Sequence, residues 1–281
     1  MAERNAKLIL MVGVLGVSAS AILVRFSQAP SGVTAAYRLG WTVLLLLPVV
    51  LLRCRAELRR VTARDLVLCG ASGVLLALHF LTWFESLKRT SVASSTVLVS
   101  TEVIFTALGF ALFLHGKIPR LGVWAILLAF GGSALLALSG GGGAGGLSGN
   151  LLALAAASAA AVYTLIGRIQ RGHLSTTVYT FLTYLACFLT LLLGTAAAGT
   201  PLTGYGGREW LIGLALAVLC TLLGHSLFSW CLKYLSPSYV SAAKLCEPVF
   251  SSLAAIPLFG EVPGPLQLAG GAAVLGAVLL Y

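Results

Sequence analysis

Charge is what this chain has least of. Asp, Glu, Lys and Arg together supply 9% of its 281 residues, against roughly 25% in a soluble domain, so a water-soluble globular fold is the first class to fall away. The six cysteines form no CxxC pair and no metal-ligand spacing, and most lie in apolar runs, where a thiol acts as a small hydrophobe. No metal site and no redox cofactor is therefore expected. The one glycine-rich stretch, GGGGAGG at 140–146, lacks the GK[ST] ending that brings a lysine to a nucleotide, and reads as a connector. GxSxG and HExxH patterns and carboxylate clusters for metal are missing too, which counts against a hydrolytic enzyme.

What the chain has instead is apolar length. Residues of hydrophobic type make up 59% of it, and a bilayer core about 30 Å thick is crossed by roughly 20 apolar residues in a helix. Hydropathy divides the sequence into ten candidate spans at 7–27, 34–52, 66–87, 91–114, 119–139, 149–169, 175–198, 209–233, 236–259 and 263–281. The breaks between them carry turn residues, as in QAPSG at 28–32 and EVPGP at 261–265. The first span, behind Arg4 and Lys7, resembles a secretory signal, but nine further spans favour an uncleaved first helix.

The net charge of +10 comes in short clusters between apolar runs, not on one amphipathic surface, so nucleic acid is not the expected partner. Membrane topology accounts for the clusters. With the N-terminus in the cytoplasm, twelve of the eighteen basic residues fall on the inner side, among them the five arginines from Arg53 to Arg64. The positive-inside rule then puts both termini in the cytoplasm. Arg25 and Arg38 border the loop between the first two spans and read as interface anchors or an outer gate. Glu85, beside Lys88 and Arg89 at the end of the third span, reads as part of a solvated interfacial cluster.

The sequence also repeats itself. Residues 87–135 align without gaps on 232–280 at an offset of 145, with nine identities, and the polar matches carry the alignment: Lys88 with Lys233, Ser91 with Ser236, Glu102 with Glu247. Five spans per copy is an odd number, so the copies point in opposite directions across the membrane. Inverted repeats of this kind place a substrate site near the midplane, where the halves meet and access alternates.

Glu102 and Glu247 each stand twelfth in a 24-residue span, which at 1.5 Å per residue is ~18 Å from the helix end. An ionised side chain there costs on the order of 3 kcal/mol or more, so it faces a wet cavity, finds a partner or takes up a proton. Lys244 precedes Glu247 by three residues and is expected to share its helix face as a partial counter-ion. Val99 stands at the matching position of the first copy, which leaves Glu102 without a local lysine and makes it the better proton carrier. Pro248 predicts a backbone break in the ninth span that frees the Lys244 carbonyl; Val103 at the matching place predicts an unbroken fourth span. His79 with Trp83 on the third span, His225 on the eighth and Tyr163 on the sixth complete the candidate binding residues. Each has a structural reading as well, as a helix-packing or hydrogen-bonding group.

SLKRTSVASSTVLVSTEVIFTAL, from Ser86, and CLKYLSPSYVSAAKLCEPVFSSLAAIPLFGE, from Cys231, resemble the paired signature of the EamA family in the drug/metabolite transporter superfamily. The resemblance implies two units, 7–139 and 149–281, and makes amino acids and their relatives the expected substrate class. The fold expected is an all-α integral protein of the cell (inner) membrane, with ten transmembrane helices in two five-helix inverted repeats. The function expected is secondary export of a small polar or amphipathic metabolite by alternating access, coupled to protons, by a monomer or homodimer. A membrane enzyme acting on lipid-linked substrates and a passive solute channel are the alternatives. The channel needs neither paired midplane glutamates nor inverted halves.

Overall fold

A computed structural model describes residues 2–116, 120–138, 146–244 and 246–280. Helices account for all regular structure among them, and no strand is present there. The expected linker at 140–146 and the inner-side Lys117 lie largely or wholly outside the described residues.

The helices run in chain order as α1 (Ala2–Ser18), α2 (Ser20–Phe26), α3 (Ser31–Arg53), α4 (Arg55–Leu58), α5 (Ala63–Arg89), α6 (Val92–Val99), α7 (Glu102–Phe113) and α8 (Arg120–Leu138). They continue as α9 (Gly146–Gln170), α10 (Thr176–Ala197), α11 (Gly207–Ala215), a π-helical segment (Leu216–His225), α12 (Ser226–Cys231), α13 (Pro237–Ala243), α14 (Cys246–Phe259) and α15 (Pro265–Leu280). Among the described residues, eight helical stretches are long and apolar enough to cross a membrane, and they match the first four and the sixth to ninth candidate spans within a few residues. The remaining two candidates correspond to α8 and α15, which pack mainly against each other.

Polar residues at the ends set several boundaries. Thr62 and Asp65 form a capping box at the start of α5, each side chain bonding the other's backbone N–H, at 3.2 and 3.0 Å. Ser91 caps α6 and Ser175 caps α10 through N–H groups three residues on. Leucines such as Leu52, Leu112, Leu193 and Leu211 are exposed, as a lipid-facing surface requires, while serines, threonines and charged groups turn inward. The interior is built from α5 against α9 and α10, α3 against α10 and α11, and α1 against the π-helical segment. Gly16 permits that last contact, since a Cβ there would stand 2.6 Å from the Leu219 carbonyl oxygen.

Four spans are irregular at mid-length. The first breaks at Ala19, the eighth widens into the π-helical segment, and the ninth breaks between Ala243 and Cys246. The fourth breaks as well, at Ser100 and Thr101, where the sequence predicts continuity. Hydroxyls replace proline there. Ser100 Oγ donates to the Thr96 carbonyl and Thr101 Oγ1 to the Leu98 carbonyl, both at 2.7 Å. The backbone then tightens to bonds three residues back at Thr101, Val103 and Ile104. In the ninth span the Lys244 carbonyl is not left free by Pro248, because the Glu247 N–H takes it at 2.9 Å.

Candidate functional site

The broken fourth and ninth spans bring charge from distant parts of the sequence together. Lys244 Nζ sits 2.9 Å from both carboxylate oxygens of Glu102, so the lysine's partner is the glutamate of the other half. This corrects the expected pairing with Glu247. The three-residue rule assumes an unbroken helix, and the break after Ala243 removes that geometry. Thr164 Oγ1 on α9 and Ser241 Oγ on α13 also donate to Glu102 Oε1, at 2.9 and 3.1 Å. Four bonds from three side chains thus hold one carboxylate, and the Lys244 ammonium lies 5.2 Å from the Phe228 ring centre.

Glu247 is in the opposite condition. It is 9% exposed, and its Oε1 has no hydrogen-bond partner among the described residues. Glu102 is therefore not the unpaired carboxylate that the sequence predicts; Glu247 is.

Aromatic and imidazole groups stand beside the carboxylates. His79 Nδ1 lies 3.0 Å from the Ala156 carbonyl, which only accepts, so Nδ1 carries the proton and Nε2 is left as an acceptor. The imidazole stacks on Trp83 at 5.8 Å and meets His225 edge-on at 6.3 Å. His225 ends the π-helical segment, and Tyr163 is 6.2 Å from it, with its hydroxyl 3.3 Å from Ser229 Oγ. Trp83 Nε1 and His225 Nδ1 are buried without a partner.

All seven candidates, Glu102, Lys244 and Glu247 with His79, Trp83, Tyr163 and His225, line a single cavity of about 40 Å³. A water needs roughly 10–15 Å³ on this measure, so the space suits a few waters and a metabolite requires the helices to part. Six spans contribute to its walls, including all four irregular ones. The chemistry available is mixed: one satisfied ion pair, one carboxylate with an open acceptor, two unspent N–H or ring-nitrogen positions and aromatic faces.

Polar contacts tie the protein at either end of α5. At one end Arg25 bonds the Leu87 and Thr90 carbonyls and pairs with Glu261 at 2.5 Å, while Glu261 Oε2 accepts the Val92 N–H at 2.7 Å. Glu85 pairs there with Arg89 at 2.8 Å. At the other end Asp65 accepts from Gln170 at 3.2 Å and lies 2.7 Å from His173 Nε2. Sequence reasoning missed this second cluster, whose members are over a hundred residues apart.

It also misplaced Arg38. The residue is fully buried, not at an interface. Because α3 begins at Ser31, Arg38 lies seven residues inside the helix, or ~10 Å at 1.5 Å per residue, too deep to snorkel. Its guanidinium rests over Phe80, 4.2 Å from the ring centre, with Nε donating to Thr221 Oγ1 at 2.7 Å and Nη1 to Ser20 Oγ at 3.2 Å.

Comparison with known proteins agrees with this architecture. The chain is similar to the pseudopaline exporter CntI of Pseudomonas aeruginosa strain UCBPP-PA14, 24% identical over 207 residues that cover 74% of this chain and 72% of the relative. The protein of the same name from strain PAO1 matches to the same extent. A solved structure titled "Crystal structure of protein" superposes with a TM-score of 0.70 at 19% identity, covering 99% of this chain and 97% of the other, which supports the fold. The model of the EamA-like transporter family matches residues 5–138 and 147–281, two copies that together span almost the whole chain. This is a multi-pass protein of the inner membrane, from a family of transporters and not of enzymes, and the chain belongs to the EamA-like transporter family.

Proposed function

We propose that the protein is a secondary active exporter that carries a small polar or amphipathic metabolite, of amino-acid type, by alternating access coupled to protons. The observation that carries this reading is the pairing of Lys244 with Glu102 across the two halves, beside the unpartnered Glu247, in the cavity between broken spans. An ion pair that joins the halves is a contact that rocking must break or re-form. A carboxylate without a counter-ion at that depth is the group most easily protonated. Glu247 therefore takes the proton-carrying role, and Glu102 with Lys244 forms the joint.

The matched breaks support ten spans in two inverted repeats. The fourth span breaks at 100–101 and the ninth between 243 and 246, an offset close to the 145 residues that relate the copies. The basic clusters support cytoplasmic termini. Both named relatives are exporters, which favours the outward direction.

Reconstituted protein in liposomes tests the reading. Preloaded vesicles screened with a panel of amino acids and related metabolites are expected to show saturable counterflow of at least one solute, and an imposed pH gradient is expected to drive its accumulation. Glu247→Gln should still exchange solute in counterflow, more weakly than wild type, and lose the response to the gradient. If no solute exchanges, transport is the wrong reading; if Glu247→Gln still accumulates substrate, the proton is carried elsewhere.

A further inference from the structure

Among the described residues, no carboxylate neutralises the charge of Arg38 by contact. Guanidinium stays protonated at every pH a protein meets, and a buried, unpaired ion is strongly destabilising. Three groups offset this: the Phe80 ring, Thr221 Oγ1 and Ser20 Oγ. The Thr221 hydroxyl donates to the Leu216 carbonyl, five residues back, at 3.3 Å. Its oxygen is therefore free to accept from Arg38.

These contacts use Nε and one N–H of Nη1. Nη2 has no partner among the described residues. With Ser20 turned aside, Nη1 and Nη2 are the parallel pair of donors that matches two carboxylate oxygens. Ser20 stands between this edge and the cavity, whose wall it forms, and it is the first residue after the break at Ala19. Arg38 itself does not line the cavity, so its edge reaches a substrate only when the Ser20 hydroxyl turns aside or the backbone shifts at this break.

Glu247 supplies the other sign. It lines that cavity, its Oε1 has no hydrogen-bond partner among the described residues, and it forms no ion pair with Arg38. The remaining charges of the cavity, Lys244 and Glu102, satisfy each other.

We infer that Arg38 and Glu247 form a head-group subsite for a zwitterion, in which the Arg38 guanidinium takes the substrate's carboxylate and the Glu247 carboxylate its ammonium. This rests on the transport reading and narrows it. A molecule with both groups satisfies both open valences and adds no net charge, whereas an amine or an acid alone leaves one buried charge unpaired. The aromatic wall of Trp83 and Tyr163 is left for the substrate's side chain. Lys244 is already engaged by Glu102 and takes no part. Ser20 and Thr221 act as positioning residues for the guanidinium.

Counterflow in liposomes tests this with leucine, phenylalanine and histidine, each beside its carboxamide, which lacks the carboxylate, and its N-acetyl derivative, which lacks the ammonium. Wild type is expected to prefer at least one free amino acid over both derivatives by about tenfold or more, the scale of one charge-assisted hydrogen bond. Arg38→Gln should erase the preference over the carboxamide and keep that over the N-acetyl compound; Glu247→Gln should do the reverse. Arg38→Lys retains the charge and serves where glutamine prevents folding. Losing the fork, it should still weaken the carboxylate preference several-fold, and Ser20→Ala should weaken it by less. The inference is overturned if Arg38→Gln or Arg38→Lys keeps the full preference, or if wild type exchanges solutes without regard to the carboxylate. Absence of counterflow for every solute defeats the transport reading, and this inference with it.

Discussion

In the first half of the chain the mid-span glutamate is held by four hydrogen bonds; in the second half its counterpart has an oxygen with none among the described residues. The two residues occupy the same place in the repeat, and both stand just past a helix break. Their difference traces to one substitution in the pattern, lysine at 244 where the first copy has Val99. Because the break turns Lys244 away from its own helix, the added charge serves Glu102 instead of Glu247. One extra residue has divided a duplicated pair into a structural member and a free member. The duplicated breaks carry the symmetry, and the charges carry the division of labour.

Removing the joint is expected to have the largest effect. Lys244→Ala leaves the Glu102 carboxylate buried with two hydroxyls and no cation, and losing one partner of a buried pair costs about 3–5 kcal/mol. Thermal unfolding in detergent should show a large drop in midpoint, with transport abolished. The double variant Lys244→Met with Glu102→Gln removes both charges together and should recover most of the stability without recovering transport. If it recovers both, the pair is only a packing device.

Glu247→Gln comes next in size and differs in kind. No ion pair is lost, and a buried carboxylate with an open acceptor becomes a neutral amide, so stability should change by less than about 1 kcal/mol or rise slightly. Transport should nevertheless lose its dependence on the pH gradient. A stability loss matching that of Lys244→Ala would erase the contrast between the two glutamates.

Much of this was legible in the sequence. The spans follow from hydropathy because lipid solvates no backbone, and the glutamates stand out because a charge at mid-span is rare. All seven candidate residues line one cavity for the same reason: polar side chains in a membrane bundle collect where lipid is absent. The partner of Lys244 was not legible, since helix spacing predicts neighbours only while the helix continues. Arg38 was misread because the helix start, set at Ser31 by Pro30, moved by three residues and changed an edge position into a buried one. The Asp65–His173 contact depends on tertiary packing that no local pattern encodes.

The break in the fourth span was hidden for a different reason, and it gives the smallest and sharpest comparison. Proline announces a break, whereas serine and threonine make one by bonding back to the preceding turn, and they read as ordinary span residues. If the breaks in the two halves are equivalent, the first should accept the residue that marks the second. Val103 aligns with Pro248 and is the second residue of α7, where an N–H has no ordinary helical partner. Its backbone bond to the Ser100 carbonyl is 3.3 Å long, and its loss is worth about 1 kcal/mol. Val103→Pro should therefore lower stability by about 1 kcal/mol, against roughly 3 kcal/mol for proline in a helix interior. Ile104→Pro is a poor control, because its N–H makes a 2.9 Å bond to Thr101; Leu108→Pro, well inside α7 and exposed to lipid, supplies the interior value. Equal losses for Val103→Pro and Leu108→Pro would mean that the fourth span is continuous in the membrane, and that the two halves differ in backbone as well as in charge.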